Sequence, residues 1–197
     1  MGRIKPSPRV KLIAGLLSGD PDLMRRAEQL MIRVFGPVDL RSELWPFDNT
    51  NYYEDEFGPD LQRQFISFET LAGAEQLAEI KRHTNDLESR LAEDVIDDRP
   101  GRCVNMDPGY IALSKLALAT TKDHNHRIYL GRGIYAEVTL SFRDGAWQKP
   151  RNLGSRFNTA HNEFRPVESA GGFIFSSDRP GGKGGYDLYR ARAPRLK

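Results

Sequence analysis

The chain has 197 residues, 39% hydrophobic and 28% charged, a net charge of +2 and one cysteine, Cys103. That length suits one medium domain with a real core, or a domain with an appendage. A lone cysteine excludes an intrachain disulfide and a thiolate cluster for zinc, and no apolar run approaches the roughly 20 residues that span a bilayer. These features predict a cytosolic protein without a membrane segment. The charge is uneven. From Arg143 onward 11 Lys/Arg stand against 5 Asp/Glu, or +6, while residues 1–142 carry 18 against 22, or −4. A basic tail can meet nucleic acid or acidic surfaces, although unevenness between segments is common.

In chain order, "VKLIAGLLS" is a short continuous apolar run, the pattern of a strand buried on both faces. Basic residues precede it, but the run is shorter than a signal-peptide core, and Ser18-Gly19-Asp20-Pro21 reads as a strand end and helix cap. Asp20 stands as an N-cap with Pro21 at the first helical position, where its missing N–H is harmless. Leu23, Ala27, Leu30, Met31 and Val34 follow at helical spacing until Gly36-Pro37. "VDLRSELWPF" suggests a second strand. "RQFISFE" alternates as a third, with Phe65 and Ser67 on one face and Ile66 and Phe68 on the other.

The spacing then predicts a second helix from Ala74 to Glu93. Leu77, Ile80, Thr84, Leu87 and Leu91 form its apolar face, with Glu79, Lys81, Arg82, Glu88 and Arg90 off it. "CVNMD" reads as a strand and "PGYIALSKLALATT" as a third helix. "HRIYLGRGIYAEVTLSF" reads as two strands around Gly131-Arg132-Gly133. The order predicts an α+β fold: a ferredoxin-like β-α-β-β-α-β core with an added helix and β-hairpin, its helices on one face of an antiparallel sheet.

"WPFDNTNYYEDEFG" (45–58), "VNMDPGY" (104–110) and "TTKDHNHRIYLGRGIYAEVTL" (120–140) together resemble a family catalogued as domain of unknown function 4416. Order, spacing and wording all match, over about residues 10–142. The resemblance implies no established activity. The tail is similar to a single WD40-like β-propeller repeat, carried by Trp147, Pro150, Asn152-Leu153-Gly154, "FIFSSDRPGG" and "GGYDLY". That likeness implies tight turns at the Asp and Gly positions and aromatic strands of one blade. We therefore expect two parts, residues 1–142 and 143–197. "GGFIFSS" and "YDLYRA" should form a short C-terminal hairpin across "DRPGGKGG".

Candidate chemistry gathers in three polar stretches. In "TTKDHNHR", Thr121, Lys122 and Arg127 could grip a phosphate or carboxylate, with His126 beside them. Asp123, His124 and His126 form a candidate divalent-metal set. The competing reading is a polar turn whose Lys and His stabilise a helix C-terminus. "TTKD" does not match the guanine-reading pattern of GTPases, because the aspartate directly follows the lysine, and no phosphate-cradling GxxxxGK[ST] loop exists. In "FDNTNYYEDEFG", Asp48 and Glu54 are candidate base or metal residues, since carboxylates suit magnesium bridging to phosphate. The alternative is a solvated acidic loop. In "NMDPGY", Asp107 and Pro108 cap a helix at Gly109, or Asn105 or Asp107 at a strand end faces a ligand. Glu137 is a partner for Arg127 or solvent-facing.

Convergence of these stretches would make a site for a phosphate-bearing small molecule or nucleotide with a divalent metal such as Mg, serving a hydrolase or transferase. Asp48, Glu54, Asp107 and His126 are its candidate catalytic residues. Two other classes compete. One is an RNA-binding module stacking bases on Tyr129, Tyr135, Phe65 and Phe68. The other is a protein-interaction module docking through its tail. Oligomeric state is left open.

Overall fold

β1 (Arg9–Ser18) runs through the middle of the main sheet, and its apolar continuity follows from being covered on both sides along most of its length. The computed structural model describes residues 3–48, 54–57, 59–94, 102–124, 126–148, 161, 163–169 and 172–192. The chain divides into two units: Met1–Asp123 with Arg127–Trp147, and His124–His126 with Gln148–Lys197.

In the first unit β1 is followed by α1 (Pro21–Phe35), β2 (Val38–Arg41), β3 (Trp45–Pro46), the one-turn α2 (Glu54–Phe57) and β4 (Gln62–Gly73). A 3₁₀ turn (Ala74–Gln76) leads into α3 (Leu77–Asp94), then β5 (Asn105–Ala112), β6 (Lys115–Thr120), β7 (Ile128–Gly131), β8 (Ile134–Arg143) and β9 (Ala146–Gln148). The strands form a nine-stranded sheet in the order β2-β4-β1-β5-β6-β8-β7, with β3 beside β4 and β9 beside β8. The ladders that join β1 to β8 are antiparallel.

The start of α1 is built as its sequence dictates. Asp20 Oδ1 accepts from the amides of Asp22 (2.8 Å) and Leu23 (3.3 Å), two of the donors that a helix start leaves unpaired. Gly36 closes the helix at φ 94°, a conformation open to glycine. Both long helices cover one sheet face. Leu12, Ala14 and Leu16 of β1, Ile66 and Phe68 of β4 and Met106 of β5 pack there on Leu23, Ala27 and Met31 of α1 and Ile80, Leu87 and Leu91 of α3. Val34 remains exposed at the end of α1.

The expected third helix is a correction. "NMDPGYIALSKLALAT" forms the β5–β6 hairpin, with Gly109 opposite Leu118 and Ala112 opposite Lys115. Its Ala, Leu and Lys favour helix on their own, but pairing of β5 with β1 from Lys11↔Ile111 to Leu17↔Asn105 overrides that preference. Asp107 is therefore in mid-strand and caps nothing. Thr120 ends a strand, so no helix C-terminus lies before "TKDH". The β7–β8 hairpin forms as expected, through Gly131, Arg132 and Gly133 at φ 102°, 55° and 77°.

In the second unit β10 (Glu163–Ser169), β11 (Gly172–Ser177) and β12 (Asp187–Arg192) form a three-stranded antiparallel sheet. The expected β11–β12 hairpin is present, and β10 extends it beyond two strands. In its connection, Asp187 Oδ2 accepts from the amides of Lys183 (2.7 Å) and Gly184 (2.9 Å). Arg179 lies over the rings of Phe175 and Tyr189, at 4.8 and 5.3 Å from their centroids.

Candidate functional site

Pro108 shapes the site from the backbone outward. It has no N–H to give a neighbouring strand, and the pairing of β5 with β6 stops at Gly109↔Leu118. Past that point the outer edge of β5 needs other partners for its peptide groups. Two side chains of α3 supply them. Glu88 Oε1 accepts from the Met106 amide at 2.6 Å, and Lys81 Nζ donates to the Met106 carbonyl at 3.0 Å.

Lys81 and Glu88 are 3% and 2% exposed. The reading that placed both off the apolar face is corrected: Leu77, Lys81, Thr84, Glu88 and Leu91 are all buried on α3. The spacing between them is 4, 3, 4, 3, the stripe of a packed helix, with two opposite charges inside it.

The two charges extend into a network. Lys81 Nζ also donates to Asp107 Oδ1 at 2.9 Å and stands 3.9 Å from Glu88. Arg102 Nη1 donates to Glu88 Oε2 (2.8 Å) and Asn105 Oδ1 (3.2 Å). Its Nε and Nη2 reach Glu56 at 2.7 and 3.1 Å. Asn105 Nδ2 closes the chain on Asp107 Oδ2 at 2.7 Å. Burial pushes the Glu88 carboxyl above its ordinary range, against the pull of Lys81, Arg102 and the Met106 amide. The Glu56 carboxylate, followed by Glu88, holds Arg102 firmly as a cation.

On the opposite face of the sheet, this network opens into a pocket of about 120 Å³ lined by Gly15, Leu16, Leu17, Arg63, Phe65, Asn105, Asp107 and Leu118. The register sets its shape. Phe65, Gly15 and Asp107 form one row across β4, β1 and β5, and Arg63, Leu17 and Asn105 form the next. Gly15 leaves the floor open: a Cβ there would stand 3.1 Å from the Phe65 ring. The Arg63 guanidinium lies 4.1 Å from the Phe47 ring centroid. Trp45 flanks Phe65 at 6.0 Å between ring centroids. The Asp107 side chain is 45% exposed although Lys81 behind it is buried.

The residues singled out by sequence distribute unevenly. Asp107 is at the centre of the network. Asp48 is exposed beyond β3. Glu54 begins α2, and its side chain lies outside the described residues. The acidic stretch reaches Asp107 through a different residue, Glu56, by way of Arg102.

Thr121, Lys122 and Asp123 stand exposed on the turn after β6. Arg127 Nε donates to Glu137 at 2.7 Å and its Nη1 to the Lys122 carbonyl at 2.9 Å. The division between the units falls within this stretch, after Asp123. The His124 and His126 rings stack at 6.2 Å with 2° between their planes. Among the described residues no group of three or more His, Cys, Asp or Glu is placed to hold a metal ion, and no helix is long and apolar enough to cross a membrane. Asn105 was read beside Asp107 as a residue that could face a ligand; Arg63, Lys81, Glu88 and Arg102 escaped the sequence reading. The one available signal was the pair of opposite charges within the α3 stripe.

Comparison with curated proteins and with solved structures gives no match. A family model matches residues 8–161, most of the chain and every element of the network just described. The chain belongs to the family described as domain of unknown function DUF4416.

Proposed function

We propose that this chain is a cytosolic protein that binds a phosphate-bearing small molecule or nucleotide in the pocket floored by Gly15. The observation that carries the reading is the over-determined carboxylate of Asp107. Lys81 and Asn105 hold one oxygen each, and the side chain still faces the pocket. A polar group held this rigidly suits recognition, because little ordering is left for the ligand to induce. Arg63 takes the anion in this reading. Its guanidinium has five N–H donors, so a phosphate can be held alongside the ring contact with Phe47.

The strand order β2-β4-β1-β5, with α1 and α3 on one face, supports a ferredoxin-like core extended by β6 to β9. The three-stranded tail sheet is in keeping with a partial propeller blade that begins after β9, since Ala146–Gln148 pair with β8 in the main sheet.

Calorimetric titration with nucleoside monophosphates tests the proposal. Arg63→Ala should weaken binding by about 1.5–3 kcal/mol, the worth of a charge-assisted hydrogen bond. Gly15→Val should abolish binding by filling the floor. If Lys122→Ala loses the ligand while Arg63→Ala keeps it, the anion site belongs on the turn after β6. Binding confined to oligonucleotides would favour the RNA-binding alternative, in which Tyr129 and Tyr135, 5.1 Å apart, stack bases.

A further inference from the structure

The hydrogen-bond directions at Asp107 restrict what the pocket accepts. Arg102 donates to Asn105 Oδ1, which fixes the amide so that Nδ2 faces Asp107 Oδ2. Lys81 donates to the other carboxylate oxygen. Each carboxylate oxygen accepts about two hydrogen bonds, so one acceptor position remains on each. Those positions belong to the partly exposed side chain that lines the pocket. Two acceptors side by side in a fixed plane match two parallel N–H donors on a flat group.

The rest of the pocket narrows the class. Phe65 and Leu118 offer apolar contact to a planar ring. The volume, about 120 Å³, is below the roughly 300–1,000 Å³ of sites that enclose a whole ligand, so one ring system enters and the remainder stays outside. Among the described residues charge is balanced, with Arg63, Lys81 and Arg102 against Glu56, Glu88 and Asp107. A bare cation or anion gains little there. A ligand with donors at one end and a negative group at the other fits Asp107 and Arg63 together.

Resting on the pocket reading above, we infer that Asp107 reads the amidine-type edge of a guanine base, a ring N–H beside an exocyclic amino group, with the nucleotide phosphate toward Arg63. Adenine would turn a ring lone pair toward the carboxylate. Hypoxanthine keeps the ring N–H and loses the amino donor. A guanidinium carries the same donor pair, so free arginine is the control for source.

The test is calorimetric titration of the native full chain with GMP, IMP, AMP and free arginine. GMP should bind about tenfold or more tightly than IMP, in line with a bidentate contact, and AMP more weakly still. Asp107→Ala should weaken both and erase the difference between GMP and IMP, while Arg63→Ala weakens both alike and keeps it. Because Asp107→Ala deprives Lys81 of a partner and could unfold the chain, the ligand series on the native protein is decisive by itself. Equal affinities for GMP, IMP and AMP that Arg63→Ala still abolishes would overturn the base assignment and leave the pocket reading standing. Binding of arginine without GMP would also overturn it. Failure of every nucleotide would overturn both.

Discussion

Lys81 is the residue on which the site depends. Its ammonium is buried with the Met106 carbonyl, Asp107 and Glu88 around it. Removing one partner of a buried charge network leaves the others uncompensated, which typically destabilises by about 3–5 kcal/mol. Lys81→Met should show that loss near neutral pH, and the loss should depend on pH through Glu88. Burial raises the Glu88 carboxyl above its ordinary value of 4.5. A raised carboxyl contributes stability that is complete below 4.5 and is lost as pH rises through the folded-state value. Without Lys81 one of the cations opposing that rise is gone, so the loss grows. Urea unfolding between pH 4.5 and 8 should therefore show the gap between variant and native chain narrowing toward acid. A gap constant across that range would mean that Glu88 does not sense Lys81.

At the level of elements, the parts legible in the sequence are those whose signals are local. Asp20 and Pro21 start α1, Gly36 ends it, and Gly131 to Gly133 turn β7 into β8; each is decided by backbone geometry within a few residues. The β5–β6 hairpin was illegible because its residues favour helix and its strand partners are distant in sequence. Lys81 and Glu88 were illegible for a related reason. A charge on an amphipathic helix ordinarily faces water, and only the unpaired edge of β5 at Met106, more than fifteen residues away, calls these two inward. Asp107 was read both as the cap of a helix that does not exist and as a candidate ligand-facing or catalytic residue. Gly109 is the local trace of the hairpin. A Cβ there would meet the Ala117 carbonyl oxygen at 2.4 Å and Leu118 Cδ2 at 2.6 Å. Gly109→Ala should therefore destabilise by about 1–3 kcal/mol, as overpacking does, and hydrogen exchange should show protection lost first in Lys115–Thr120. Unchanged protection there would mean that the hairpin relaxes around the added methyl.

At the scale of the whole molecule, the sequence reading divided the chain at residue 143, the fold divides it after Trp147, and the family match runs on to residue 161. These limits differ in what they claim for the edge of the main sheet. β9 pairs with β8, so ending the chain at Arg143 removes a strand from that sheet. Ending it at Gln148 keeps all nine strands, both long helices and the whole Lys81–Asp107 network. The hydrophobic cluster that joins α1, α3, β1, β4 and β5 lies within those residues, and a chain of that size buries enough apolar surface to fold alone. A chain ending at Gln148 should then unfold in one cooperative thermal transition and bind nucleotide as the full chain does. Loss of the transition at Gln148 and its return in a chain ending at His161 would show that the family domain, and not the nine-stranded unit, is what folds.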